Sequence, residues 1–121
     1  MNKSMESLAQ EIYQWCVRKD LWGDNCLYFD GKAWASWSTW SGVKGKKIET
    51  DLYEYENKDP RDYFGGGKSV LSCSFEGSLN YVLNGYVPGW SKLEAEFYKL
   101  FNKYGLFFEM YDSWNGNAYE T

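Results

Sequence analysis

Histidine is absent from this chain of 121 residues, and that absence removes more chemistry than any motif present adds. Without an imidazole there is no Ser-His or Cys-His nucleophile pair, no base titrating near neutral pH and no imidazole metal ligand. Cysteine is scarce as well. Cys16, Cys26 and Cys73 are an odd number at unpatterned spacings, too few for a four-thiolate zinc site and unsuited to a disulfide framework. Each lies in an apolar-periodic segment, which reads as a buried thiol in a reducing compartment. Arginine occurs only as Arg18 and Arg61, so bidentate contacts to phosphate or guanine are scarce. No apolar run approaches the roughly 18 residues that a membrane span needs, and the opening MNKSMESLAQ has no basic-then-apolar leader. These absences set the expectation of a cytoplasmic protein with no metal, no cofactor, no membrane association and no direct nucleic-acid partner.

Aromatic residues are what the chain has in excess. They make up 21% of it, as 7 Trp, 11 Tyr and 7 Phe, while Leu, Ile and Val are sparse. A core built from rings would account for many of them, and Trp and Tyr are also favoured at binding surfaces. The net charge is −4, and it is concentrated. Between Ile48 and Asp62 stand Glu49, Asp51, Glu54, Glu56, Asp59 and Asp62 against Lys58 and Arg61, so this stretch alone carries the whole net charge. It follows directly on the basic turn of Lys44, Lys46 and Lys47.

The length fits a single domain over residues 1–121, large enough to fold without a metal or a disulfide. Leu8, Ile12, Trp15 and Cys16 recur at helical period, predicting a first helix from Ser4 or Ser7 to Lys19. Asp30-Gly31 between two β-prone runs predicts a hairpin. A further strand is expected over Ile48–Glu56, and Asn57–Pro60 reads as a turn. Ser69–Glu76 alternates, so Leu71, Cys73 and Phe75 should face a core and Ser72 and Ser74 should face away, as in a half-buried strand. Ser78–Gly85 fits a short helix. Ser91 and Glu94 have the form of a capping box ahead of the stripe Leu93, Phe97, Leu100, Phe101 and Tyr104, with Gly105 as the stop. Leu106–Trp114 reads as a strand returned by Asn115-Gly116 into a last strand, Asn117–Thr121. No βαβ rhythm occurs. The fold class expected is α+β, an antiparallel sheet of five to six strands with two main helices on one face.

Local motifs mostly fail their own requirements. Gly65-Gly66-Gly67-Lys68-Ser69 has Asp62 where a phosphate loop needs glycine, and a strand pattern follows where a helix is needed. The stretch Asp112–Asn117 puts Trp114 where a calcium loop needs an oxygen ligand. Trp34-Ala35-Ser36-Trp37-Ser38-Thr39-Trp40-Ser41 resembles the tryptophan ladder of thrombospondin type 1 repeats over eight residues. That family implies a secreted module of stacked arginines and six cysteines, and this chain has neither set. Tyr28–Lys32 resembles part of a choline-binding cell-wall repeat, in a single copy.

Two surfaces remain as candidates for binding. On one strand, Glu49, Asp51, Tyr53 and Tyr55 would share a face, giving with Glu54 and Glu56 a surface for a basic protein partner. Spaced carboxylates of this kind imitate phosphates, as in inhibitors of nucleic-acid-binding proteins, which fits a small anti-defence protein of a phage or other mobile element. The alternative is a saccharide or nucleotide site using Trp34, Trp37 and Trp40 as a stacking platform. On a strand, their spacing of three sets Trp37 on the opposite face from Trp34 and Trp40. A third reading, a hydrolase using paired carboxylates among Asp30, Glu109 and Asp112, is formally open but has no specific support, so the chain is read as a binding protein and not an enzyme.

Overall fold

The computed structural model describes residues 5–37, 39–40, 43–56 and 69–121; for 39, 40, 43 and 44 it describes the backbone alone. The Asn57–Pro60 turn and the Gly65–Lys68 segment lie outside the described residues. The fold is α+β. Seven antiparallel strands form one sheet in the order β5-β6-β2-β1-β7-β9-β8, more than the five to six expected. They are β1 Asn25–Phe29, β2 Lys32–Ala35, β5 Lys46–Glu49, β6 Leu52–Glu56, β7 Leu71–Phe75, β8 Leu106–Asp112 and β9 Asn115–Glu120. A separate two-stranded pair is made by β3, Thr39–Trp40, and β4, Val43–Lys44. The described helices are α1 Met5–Arg18, α2 Ser78–Leu83 and α3 Trp90–Asn102.

All three helices cover one face of the sheet. Leu8, Ile12 and Cys16 of α1, Leu79 and Val82 of α2, and Phe97 and Phe101 of α3 join Leu27, Phe29, Trp34, Leu52, Leu71, Cys73, Phe75 and Phe108 in one buried cluster. Burial of side chains this large is worth roughly 1.5–3 kcal/mol each relative to exposure, which is why a chain poor in aliphatics can still close a core. The aromatic excess is therefore used inside: Phe97 meets Phe101 edge-on at 5.1 Å and Phe108 at 5.2 Å between ring centroids.

The opposite face is buried over its middle too. Cys26, Tyr28, Ala33, Ala35 and Tyr55 form a second cluster there, flanked by Trp37 and Tyr53. This overturns the expectation of a half-buried β7, because Ser72 and Ser74 are as buried as their apolar neighbours. The small hydroxyls fit because they bond within the protein: Ser72 donates to Asn117 Oδ1, and the Ser69 and Ser72 hydroxyls lie 3.2 Å apart.

The turns divide between expectation and correction. Asp30 (φ 50°) and Gly31 (φ 73°) close the β1–β2 hairpin with both central residues at positive φ. The expected strand Ile48–Glu56 is instead a hairpin. Thr50 and Asp51 form its tip, Asp51 takes φ 60°, and Glu49 pairs with Leu52. Alternation therefore restarts, and Glu49 and Asp51 do not share a face with Tyr53 and Tyr55. Asn115-Gly116 is not a turn either. Asp112 pairs with Asn115, so Ser113-Trp114 is the loop. Gly116 is needed for a different reason: a Cβ there would sit 2.4 Å from Phe108 Cζ. Helix α3 starts at Trp90 behind Gly89, with no side-chain cap, so the Ser91–Glu94 capping box does not form.

Candidate functional site

Three loops meet at one end of the sheet. The turn after α1 brings Asp20, Trp22, Gly23 and Asp24. The end of β2 brings Ser36 and Trp37, and the β5–β6 tip brings Thr50 and Asp51. With Tyr13 and Val17 from the last turns of α1 they enclose an open cleft of about 570 Å³. That is within the range of pockets that hold small ligands or several side chains.

The cleft is held by hydrogen bonds between side chains and backbone. Trp22 Nε1 donates to Asp51 O at 2.5 Å, and the Tyr13 hydroxyl donates to Thr50 O at 2.8 Å. Together they fasten the hairpin tip to the α1 end. Asp24 N–H donates to Ser36 Oγ at 3.0 Å, tying the second loop to the first. Tyr13 and Trp22 are buried and pack edge to face at 5.1 Å, an aromatic floor. Val17 and the half-buried Trp37 add apolar wall.

The rim is acidic. Asp20, Asp24 and Asp51 are exposed, and each sits in the left-handed region, at φ 59°, 61° and 60°. Short polar side chains tolerate that conformation best, which explains aspartate on backbone grounds alone. Their charges are a separate matter: none of the three has a salt-bridge partner among the described residues. The described lining contains no Lys or Arg. Its field is felt nearby, since the Tyr13 phenol is pushed above its ordinary value by burial first and then by Glu49 and Asp51. Among the described residues no group of carboxylates or thiols is arranged to hold a metal ion.

The residues singled out from the sequence are dispersed by the fold. Of the acidic set, Asp51 lines the cleft and Glu49 is exposed beside it. Glu56 is exposed at the far end of β6. Glu54 is on the helix side, accepting from Trp34 Nε1 at 3.0 Å and lying 3.7 Å from Lys32 Nζ. Tyr55 is buried and donates to Trp37 O, and Tyr53 packs beside it. Glu54 and Tyr55 are thus structural partners and not part of an exposed surface.

The tryptophan set is divided as well. Trp34 is in the core, edge-on to Phe29 at 5.0 Å, because β2 is a central strand with helices over that face. Trp37 is on the other side and reaches the cleft. Trp40 lies on β3, and its side chain is outside the described residues. No shared platform of Trp34 and Trp37 exists. Of the three candidate carboxylates, Glu109 and Asp112 are together on β8, opposite Asn117 and Asn115, while Asp30 is in the β1–β2 turn three strands away. At about 4.8 Å per strand that is about 14 Å, beyond the separation at which two carboxylates share one glycosidic bond.

Tyr13, Asp20, Trp22 and Asp24 were not singled out by sequence reasoning. Tyr13 stands just off the apolar stripe of α1, and a Trp next to Gly23-Asp24 in a helix-ending turn is the only local hint. No family model, curated protein or solved structure matches the chain.

Proposed function

We propose that this chain is a non-catalytic binding protein that engages a basic protein partner, with a Lys or Arg side chain of that partner seated in the cleft between the three loops. One observation carries the reading: three carboxylates without salt-bridge partners among the described residues stand over a cleft floored by Tyr13 and Trp22 and walled by Trp37. A cation gains there twice, from the carboxylates and from the ring faces. A guanidinium suits the site especially, since it is flat, weakly hydrated and can meet carboxylate and indole together. Glu49 adds a fourth exposed carboxylate beside the hairpin tip, where a neighbouring basic residue of the partner would lie. A partner whose own ligand is a polyanion, such as a nucleic-acid-binding protein, presents the right groups.

The test is titration of a labelled arginine-rich peptide into the wild type and into the Asp20→Asn, Asp24→Asn, Asp51→Asn triple variant. Asparagine keeps the left-handed backbone preference, so folding is preserved while the charge is removed. At roughly 0.5–1 kcal/mol per partly exposed contact, the triple variant should bind about ten- to a hundredfold more weakly, and wild-type binding should weaken with salt. Equal affinity in both proteins would refute the reading. Trp37 also supports a second reading, a saccharide held by stacking and by hydroxyl donation to Asp24 and Asp51. That ligand would quench tryptophan emission with no dependence on salt.

A further inference from the structure

The two edges of the seven-stranded sheet are finished differently. Edge strand β5 has four residues, with Lys46 and Lys47 exposed and a register shift between Lys47 and Glu49. Short length, lysines and a bulge are how natural sheets prevent edge-to-edge pairing. Edge strand β8 has seven residues and no Lys, Arg or Pro; its register with β9 is unbroken from Leu106 to Met110 and shifts only at its end, between Met110 and Asp112. It presents Phe107, 42% exposed and beside Tyr119, on the face away from the helices, and Tyr111, 61% exposed, lies within the register shift. Among the described residues no strand pairs with its outer side.

The hydrogen-bond phase of that outer side follows from one contact. Thr121 N–H donates to Gly105 O at 3.3 Å, so Gly105 directs its backbone groups toward β9. In an antiparallel ladder the direction alternates by residue. Phe107 and Glu109 therefore bond inward, and Leu106, Phe108 and Met110 direct N–H and C=O outward.

We infer that β8 pairs with β8 of a second copy about a two-fold axis through Phe108, continuing the sheet across a symmetric dimer. In that register Phe108 pairs with Phe108 of the partner subunit. Leu106 pairs with Met110 of the partner subunit, and Met110 with the partner's Leu106. Every outward group of the three residues is then bonded, and an isologous contact of this kind closes on itself. The competing register, centred on Glu109, sets Glu109 against its own symmetry mate, a like-charge pair directly across two strands. The Phe108-centred register instead sets Phe107 opposite the partner's Glu109, covering an exposed ring and separating the two carboxylates. This surface lies on the far edge from the β5–β6 hairpin tip and does not depend on the cleft reading.

Sedimentation equilibrium over a range of concentrations tests it, with Phe107→Asp and Phe107→Lys beside the wild type and circular dichroism confirming that each folds. The wild type should approach twice the 14.2 kDa chain mass. Phe107→Asp faces the partner's Glu109 at two symmetric positions and should weaken association about tenfold or more, whereas Phe107→Lys should strengthen it. A wild type that stays monomeric throughout overturns the proposal. So does a dimer that responds equally to both charges, because residue 107 is then not opposite residue 109.

Discussion

Alanine at Gly116 tests the packing of the β8–β9 corner. Gly116 pairs with Met110 and Cys73, and its α-carbon faces the Phe108 ring. An added methyl would lie 2.4 Å from Phe108 Cζ and 2.8 Å from Glu109 O, where ordinary contact needs about 3.4 Å or more. Neither neighbour can yield cheaply. The carbonyl belongs to the paired strand, and Phe108 is held against Phe101 at 4.8 Å and Tyr98 at 5.7 Å, so moving it moves the ring cluster. Overpacking of this kind costs about 1–3 kcal/mol, partly offset by the roughly 0.4–1 kcal/mol that Gly→Ala gains through the unfolded chain. The net expectation is about 1–2 kcal/mol of destabilisation. For a chain of this size that is a fall in Tm of roughly 3–10 °C. Gly23→Ala is the matched control, since nothing lies within 4 Å of its added methyl and its φ is not in the left-handed region. Calorimetry or thermal circular dichroism on both variants decides. A Gly116→Ala protein as stable as the wild type, or no less stable than Gly23→Ala, would refute the argument.

Two other outcomes follow from side-chain partners. Trp34→Phe keeps a ring against Phe29 but removes the N–H that Glu54 accepts, so urea unfolding should show a loss of about 1–3 kcal/mol at unchanged m; a change below about 0.5 kcal/mol would mean the bond contributes nothing. The Tyr104 phenol is pushed up to about 12 from its ordinary 10.0, by burial first and then by the hydrogen bond and charge of Glu11. Its contribution to stability is therefore complete below pH 10 and lost as pH rises from 10 toward 12. Glu11→Gln should lower that ionisation, followed by tyrosinate absorbance, and shrink the alkaline loss of stability; an unmoved titration curve would show that Glu11 does not act on the phenol.

Elements with period and punctuation of their own were legible in the sequence. Leu8, Ile12, Trp15 and Cys16 mark α1, Asp30-Gly31 marks a hairpin, and the stripe ending at Gly105 marks α3. Where one residue could serve two purposes, the pattern misled. Gly116 reads as a turn glycine because Asn-Gly favours positive φ, yet tertiary contact with Phe108 is what demands it. Asp51 reads as a strand residue among alternating acids, although an aspartate at positive φ makes an equally good hairpin tip. The alternation of β7 was correct and its interpretation was not, because nothing local says that the second face of the sheet is covered. The cleft was invisible for the same reason. Its residues come from positions near 13–24, 36–37 and 50–51, and the β1–β2 and β2–β6 pairings bring them together.

The way α1 is tied down bears on how the chain is made. Trp15 bonds Glu96, and Glu11 bonds Lys103 and Tyr104, partners 81 to 93 residues further on. On a ribosome adding about 5–20 residues per second, the helix waits roughly 5–20 s for the groups that anchor it. Strand β1, next out, depends on β7 about 45 residues later for its second neighbour. The contacts that anchor α1 thus form late in synthesis, and its apolar face, Leu8, Ile12, Trp15 and Cys16, stays without those partners until residues 96–104 are made.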